Sequence, residues 1–460
     1  MSAEVASPIA GGRSPLDPVR ALQHALYRAA KADPGRRFHA LMDKVWRTDV
    51  LARAWVTVRQ NEGAPGIDKV TLSDVEEYGV NRLLGELAME LWEGCYRPLP
   101  ARRVFIAKPG QPGESRPLSI PAVRDRIVQA ALKLVLEPVF EADFRPCSFG
   151  FRPRRGAHDA LQVLIDESWR GCGWLVETDI ANCFEAIPHA ELIKAVEERV
   201  CDQSVLKLLR VILRAGVSEN GVVHKADRGA AQGGVVSPLL CNVYLHRVDR
   251  VWDVRKHGVL VRYADDAVVM CRSRNQARAA LERLTDLLAG LGLEPKAAKT
   301  RIVHLKVGGE GVDFLGFHHR LVLAPGRGGR APFPFLARWP ADKAMRHARD
   351  RIREITDRSR LLLPVEVVVA ELNGFLTGWA GYFRFGNSAD RFAVIREFTR
   401  MRMVLFVAKK HKRSRGFGRW VVSYASPDHL GLVGLAGNVV APRPFRDWRG
   451  KPNAAGEQRR

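Results

Sequence analysis

The chain contains no run of about 18 or more apolar residues, the length at which a helix can cross a bilayer, so no membrane-spanning helix is expected. Its first residues lack the basic start and apolar stretch of a secretory signal. Cysteine is sparse: seven residues, at 95, 147, 172, 183, 201, 241 and 271, scattered and without a CxxC pair. That usage argues against a disulfide framework and a zinc site, and suits a reducing, cytoplasmic compartment. Acidic residues are outnumbered, 50 Asp+Glu against 73 Lys+Arg, leaving a formal charge of +23. No repeat of fixed period is visible. Wholesale disorder is excluded by 46% hydrophobic and 27% charged residues. What remains is a 460-residue globular chain, long enough for about two to four domains. A charge excess of this size implies a polyanionic partner, nucleic acid first among them, and no membrane.

Residues 1–17 are rich in Pro, Gly, Ser and Ala and are expected to be flexible. From 18 to 98 the pattern is mainly helical, broken by the loop Asn61-Glu-Gly-Ala-Pro-Gly-Ile-Asp68. Two strands are predicted at 102–106 and 115–120, joined by Lys108-Pro-Gly-Gln-Pro-Gly. A helix carrying Ile127, Ala131, Leu134 and Val135 follows, then a Gly/Pro-punctuated basic turn at 146–153. Further strands are predicted at 174–179, 300–305 and, as a pair around a polar turn, within 259–271. Helices are predicted at 189–199, after Ser237-Pro238, and at 275–290. This order suits an α+β class, an antiparallel sheet with helices on one face. The Gly/Arg/Pro-rich stretch 324–334 reads as a linker closing a segment that runs from 99 to 320. Residues 335–440 read as a basic helical domain, and 441–460 as a loose basic tail.

Three aspartates carry the chemical argument. Asp179, Asp265 and Asp266 each stand at the end or turn of an apolar strand, where an unpaired charge is costly unless a cation compensates it. If the two strand units are neighbours in one sheet, the carboxylates converge. Clustered carboxylates can hold two Mg²⁺ ions, one acting on a primer 3′-hydroxyl and the other on a nucleoside triphosphate. The competing explanation is a hairpin turn in which Asp is favoured for backbone reasons. Lys108 and Arg116 flank a Gly/Pro turn and suit a triphosphate as point charge and bidentate fork, although solvated basic residues on a hairpin look the same.

The surrounding motifs separate these readings. The chain carries Asp179-Ile-Ala-Asn-Cys-Phe184, Gly229-Ala-Ala-Gln-Gly-Gly-Val-Val-Ser-Pro-Leu-Leu240, Tyr263-Ala-Asp-Asp266, Lys296–Thr300 and Val312-Asp-Phe-Leu-Gly-Phe317, in that order. Together with Asn61–Asp68, Ile106–Arg126 and Ser148–Arg154 they make the chain, from about 61 to 434, resemble the reverse transcriptases and maturases encoded by bacterial group II introns. The resemblance implies a right-hand polymerase: an N-terminal extension, fingers and palm to about 320, then an α-helical thumb/maturase domain. It implies metal binding at Asp179, Ile180, Asp265 and Asp266, with two Mg²⁺ ions and Mn²⁺ as a substitute. It places Lys108, Arg116, Ile180, Phe184 and Gln232 around the nucleotide, Phe184 as the aromatic that excludes a ribose 2′-hydroxyl. Ala107 and Ala231 depart from the family's usual prolines. Implied partners are group II intron RNA, an RNA template/DNA primer duplex, target DNA and deoxynucleoside triphosphates. Phe149 and Phe151 could stack bases or pack in the core, and His158 reads as structural or template-contacting. Arg124 and Arg126 could bind template phosphates or pair with Asp125 and Glu137.

Beyond the linker, Met345, Ala348, Ile352 and Ile355 form an apolar stripe while Arg346, Arg349 and Arg353 line another face. Such a face suits a duplex backbone, or simply water. Leu372, Phe375, Trp379 and Phe383 read as core, and Leu372–Phe383 resembles the maturase signature. Between 396 and 420 nine Lys/Arg face one acid, Glu397. Lys409, Lys410, Lys412, Arg413 and Arg415 are expected to touch intron RNA, in a run that elsewhere is often a solvated tail. No terminal Cys/His cluster follows, so an HNH-type endonuclease is not expected and mobility would rely on single-stranded or opened DNA. Two alternatives stand beside polymerase function: a maturase whose main work is splicing, and a related enzyme recruited to phage defence or DNA repair.

Overall fold

The computed structural model describes residues 17–445, apart from 108, 109, 111, 112, 114, 226, 327–330, 427, 428, 436 and 438. The flexible stretch expected at 1–17 falls outside these residues except for Asp17. Among them the strands are β1 (Ala101–Ala107), β2 (Ser115–Ile120), β3 (Trp174–Asp179), β4 (Val217–Glu219), β5 (Val222–His224), β6 (Val259–Tyr263), β7 (Asp266–Cys271), β8 (Arg301–His304), β9 (Val312–Phe314), β10 (Phe317–Ala324) and β11 (Phe333–Pro340). The chain divides into two compact units, both assembled from separate stretches: Met1–Arg103, Ser119–Phe144 and Pro188–Tyr244 in the first, and Val104–Leu118, Arg145–Ile187 and Leu245–Arg460 in the second.

The first unit is built on the helix Val123–Glu141, against which Pro18–Ala32 and Thr48–Gln60 pack. Apolar residues occur on all its sides, and Ile127, Val128, Ala131, Leu132, Val135 and Leu136 are fully buried, so it is a core helix. Asp17 caps the first helix by accepting the Val19 N–H at 3.0 Å. The loop 61–68 is tied to this core. Arg102 donates to the Pro65 carbonyl (2.7 Å), and Arg126 donates to the carbonyls of Pro121 (2.8 Å) and Ala64. Gly66 has no alternative, because a Cβ there would lie 2.6 Å from the Ala122 Cα. Arg126 therefore holds backbone, and Arg124 pairs with Glu90 at 2.5 Å. Lys133, not an arginine, is the partner of Glu137.

Asp125 is fully buried on the same helix, accepting from the Tyr96 hydroxyl (2.5 Å) and the Leu99 N–H (3.0 Å). Burial outweighs these bonds and pushes its carboxyl up to about 6. The folded state thus holds this proton more tightly than the unfolded chain does. Its stabilising contribution is full below about pH 4 and lost as pH rises through about 6. Asp125→Asn is expected to flatten that part of the stability–pH curve, read from chemical-denaturation midpoints. An unchanged slope between pH 4 and 6 would contradict this.

The second unit contains a four-stranded antiparallel sheet in the order β6-β7-β3-β8. The inner pair are near-continuous apolar runs, with Leu175, Val176, Val268, Val269 and Met270 fully buried, and the helices Ala157–Trp169 and Arg274–Ala289 pack on the sheet. A second sheet, β11-β10-β9, follows. The two ends of the stretch read as a linker, 324–334, belong instead to paired strands: β10 and β11 pair from Phe317↔Pro340 to Ala324↔Phe333. The linker composition falls between the two strands, whose buried residues are Phe317 and His319 on β10 and Leu336, Ala337, Arg338 and Pro340 on β11. No break in packing falls there, because Val268 and Met270 share one continuous core with Met345, Ile352, Trp379 and Phe392.

The helices Asp342–Ile355, Val365–Phe383 and Ala389–Lys410 complete this unit, with Leu372, Trp379 and Phe383 buried as expected of core and Phe375 only half-buried. The first residues of the supposedly loose tail are anchored: Arg443 accepts at its carbonyl from Gln162 (2.8 Å), and the Phe445 N–H donates to Asp166 (2.8 Å). Among the described residues no helix is long and apolar enough to cross a membrane.

Candidate active site

The strands β3 and β7 are direct neighbours, and their register sets Asp179 opposite Asp266. Asp266 also faces Tyr263 across the β6–β7 hairpin, leaving Ala264 and Asp265 as its two-residue loop. Past its last residue β3 remains fastened: the Ile180 N–H donates to the Asp265 carbonyl (3.2 Å), and the Lys296 N–H to the Asp179 carbonyl (2.7 Å). The carboxylates thus share one sheet end. Among the described residues, no three His, Cys, Asp or Glu side chains are gathered into a ready-made metal cage. Instead the Lys299 ammonium lies 2.5 Å from Asp179 Oδ2. The sequence marked 296–300 only as a block and gave Lys299 no role.

Crowding of like charge leaves its mark. Burial, then the Asp179 carboxylate, push Asp266 up to about 6. Asp265 is raised by burial and Asp179, with Lys299 and Arg116 acting in the opposite direction. Half-buried carboxylates that disfavour one another's ionisation form a site that gains from added positive charge. Their donors are all oxygen, which suits a hard divalent cation such as Mg²⁺ rather than zinc.

A network that sequence reasoning missed supports the turn. Arg262, the buried residue before Tyr263, donates to the Ala264 carbonyl (2.9 Å) and the Ser148 hydroxyl (2.8 Å). It also forms a bidentate pair with Asp249, at 2.9 and 2.6 Å. The segment around Ser148 is laced to the same strand: Arg262 N–H donates to the Cys147 carbonyl (2.7 Å) and Phe149 N–H to the Arg262 carbonyl (2.9 Å). Ala264 has φ +57°, an uncommon conformation for a residue with a Cβ. Gly150 lies so close that a Cβ would sit 2.5 Å from the Ala264 nitrogen. Gly150→Ala must therefore displace the loop. Primer-extension rate is expected to fall by roughly tenfold or more, as for a catalytic group moved by about 1 Å, with unchanged circular dichroism. Wild-type activity would show that the loop's position is unimportant.

The other expected site residues are distributed as follows. Lys108 lies outside the described residues. Arg116 is exposed on β2. Phe184 is half-buried on the short helix Cys183–Ala186, which follows Asn182 at φ +44°. Gln232 is held in the first unit by its backbone, whose carbonyl accepts from Ser119 at 2.6 Å. The adjoining turn closes without proline, through Gly234 N–H to the Ala231 carbonyl at 3.0 Å. The two phenylalanines divide: Phe149 is core, whereas Phe151 is exposed, its ring 6.4 Å from that of Tyr263. His158 sits among Tyr382 and Phe385 at 5.0 and 4.9 Å, a structural setting.

The basic residues also differ among themselves. Arg346, Lys409, Lys412, Arg413 and Arg415 are exposed, Arg415 resting on the Met401 sulfur. Arg349 donates to the Met345 carbonyl of its own helix, and Arg353 pairs with Asp350 at 2.5 Å. Lys410 is a structural tie, because its ammonium donates to the carbonyls of Leu361 and Leu363, both at 2.8 Å. A cation engaged with two carbonyls is poorly disposed to bind phosphate.

Comparison with known proteins accords with this geometry. Residues 106–319 match the family described as reverse transcriptase (RNA-dependent DNA polymerase), and 345–424 the group II intron, maturase-specific domain. Protein YkfC of Escherichia coli (strain K12) is 34% identical over 345 residues, covering 65% of this chain and 87% of that protein. The group II intron-encoded protein LtrA of Lactococcus lactis subsp. cremoris is 34% identical over 235 residues, 51% of this chain and 39% of LtrA. An uncharacterized 91 kDa protein in the cob intron of Schizosaccharomyces pombe is 28% identical over 459 residues, 84% of this chain and 55% of that protein.

Proposed function

Because the chain belongs to the family of group II intron-encoded reverse transcriptases and maturases, we propose that it copies RNA into DNA at the Asp179–Asp265–Asp266 strand end and binds intron RNA to assist splicing and mobility. The observation that carries this reading is the β3–β7 register, with Asp179 opposite Asp266 and Asp265 in the adjoining loop. Reverse transcriptases work with divalent ions, and Asp179, Asp265, Asp266 and the Ile180 position would hold two of them here, Mg²⁺ with Mn²⁺ as a substitute. Bound there, such ions supply charge stabilisation to the attacking and leaving oxygens of an in-line phosphoryl transfer.

The chain's own residues do the positioning. Arg262 and Gly150 hold the loop that presents Asp265, and Lys299 keeps Asp179 neutralised and oriented. Arg116, with Lys108, meets the triphosphate of the incoming deoxynucleotide; Phe184 flanks its sugar, and Gln232 contacts nucleotide and template. Arg346, Lys409, Lys412, Arg413 and Arg415, exposed cations on or beside the maturase-specific segment, supply phosphate contacts to RNA. By sequence position, 18–98 corresponds to the N-terminal extension, 99–320 to the fingers and palm, and 335–440 to the thumb/maturase domain, the last two joined through the β10–β11 pairing without a break in packing.

The test is extension of a DNA primer on an RNA template by the full chain, with and without Mg²⁺, alongside splicing of a group II intron precursor. Template-dependent, Mg²⁺-dependent cDNA is the expected product. Splicing assistance without any cDNA would favour a maturase alone, and neither activity would overturn the proposal.

A further inference from the structure

The polymerase reading leaves one cluster in the second unit unused. Arg338, on β11, is 3% exposed. Its Nε donates to the Phe385 carbonyl at 2.7 Å, and its guanidinium lies over the Phe317 ring at 5.5 Å. Its Nη1 is buried and has no hydrogen-bond partner. Among the described residues no carboxylate forms an ion pair with it; Asp166, the acid that acts on it at longer range, is already engaged by Gln162 and the Phe445 N–H. The imidazoles nearby add no negative charge. His319 is completely buried with neither ring nitrogen bonded, and His158 leaves Nδ1 unpartnered; burial and then Arg338 hold both below the usual histidine range.

A buried guanidinium normally finds a carboxylate or an anion, because desolvating it without one costs several kcal/mol. Arg338 lines instead a cavity of about 530 Å³, together with Gln162, Phe385, residues 439–442 and Arg443. Two cationic side chains and an accessible aromatic ring therefore line one solvent-connected space. A guanidinium fork matches the geometry of a phosphate, and an aromatic edge suits a base or sugar beside it.

We propose that this cavity is a phosphate-binding site, distinct from the aspartate strand end, in which the Arg338 guanidinium and Arg443 hold the anion. The phosphate comes either free in solution or as part of a nucleotide, and both sources share the same chemistry at Arg338. The inference does not depend on polymerase activity, and its test does not use it. Melting of the full-length protein is followed against sodium phosphate, and separately against adenosine monophosphate, at constant ionic strength set with sodium chloride.

The wild type is expected to show a saturable rise in melting temperature that Arg338→Met abolishes. A lower half-saturation for the monophosphate than for inorganic phosphate identifies a nucleotide as the source, and equal values identify free phosphate. Arg443→Ala leaves the core untouched and is expected to weaken half-saturation roughly tenfold, the loss of one charge-assisted contact. It serves also if Arg338→Met fails to fold. An undiminished response in Arg338→Met, or in Arg443→Ala when the first is unfolded, would overturn the proposal. So would a wild type that responds to phosphate no more than to chloride.

Discussion

Asp266→Asn is expected to reduce RNA-templated cDNA synthesis by about a thousandfold or more, roughly 4 kcal/mol of transition-state stabilisation, without lowering the melting temperature. The two effects have one cause. Asp266 is half-buried opposite Asp179, and burial together with that neighbour disfavours its charge. An isosteric amide removes the repulsion, so the fold loses nothing and metal-free stability rises. The same amide cannot supply the negative charge that a divalent ion and a triphosphate require between them. Asp265→Ala should behave alike in activity, since Asp265 stands in the adjoining loop. Glu310→Gln, which alters an exposed acid paired with Arg301 at 3.4 Å, is the control and should keep wild-type yield. Primer extension on an RNA template and thermal melting, measured on the same preparations, decide the matter. Activity within threefold of wild type for Asp266→Asn would remove these carboxylates from the chemistry.

How far the site could be read in advance depended on whether its parts are local in sequence. β3, β6 and β7 were legible because each is a short, nearly unbroken apolar run ending on polar residues, and the aspartates mark those ends. The pairing of β3 with β7 follows once both strands are taken as central. The β10–β11 hairpin was not legible: the residues between its strands carry the Gly/Arg/Pro composition of a linker, and the buried polar residues His319 and Arg338 interrupt the apolar pattern of its arms. Arg262 was hidden differently. It lies inside an apolar strand and reads as its one polar residue, while Asp249, thirteen positions earlier, reads as the exposed end of a helix. Only the folded chain brings them within 2.6 Å. Lys410 illustrates the converse, since a cation within a basic run gives no sign that two backbone carbonyls already hold it.

The Arg262–Asp249 pair yields the largest expected loss of stability. Both side chains are almost wholly buried, and Arg262 additionally bonds the Ser148 hydroxyl and the Ala264 carbonyl. Asp249→Ala leaves the guanidinium buried without the carboxylate that balances its charge, a change that costs about 3–5 kcal/mol. Arg262→Lys is the more informative variant. It keeps a positive charge beside Asp249, but an ammonium cannot reproduce the planar fork that reaches two carboxylate oxygens, a hydroxyl and a carbonyl together. The Ala264 carbonyl is then the bond most exposed to loss, and with it the fixed position of Asp265 beside it. The expected result is a fall in kcat of roughly ten- to a hundredfold, as for a misplaced catalytic group, with KM for deoxynucleotides nearly unchanged. The chemical-denaturation midpoint of Arg262→Lys should lie between those of wild type and Asp249→Ala. A purely structural role would instead lower the amount of active protein and leave kcat per folded molecule, by active-site titration, at the wild-type value. That second result would confine Arg262 to the core and leave the turn to be held by Gly150 and its strand contacts alone.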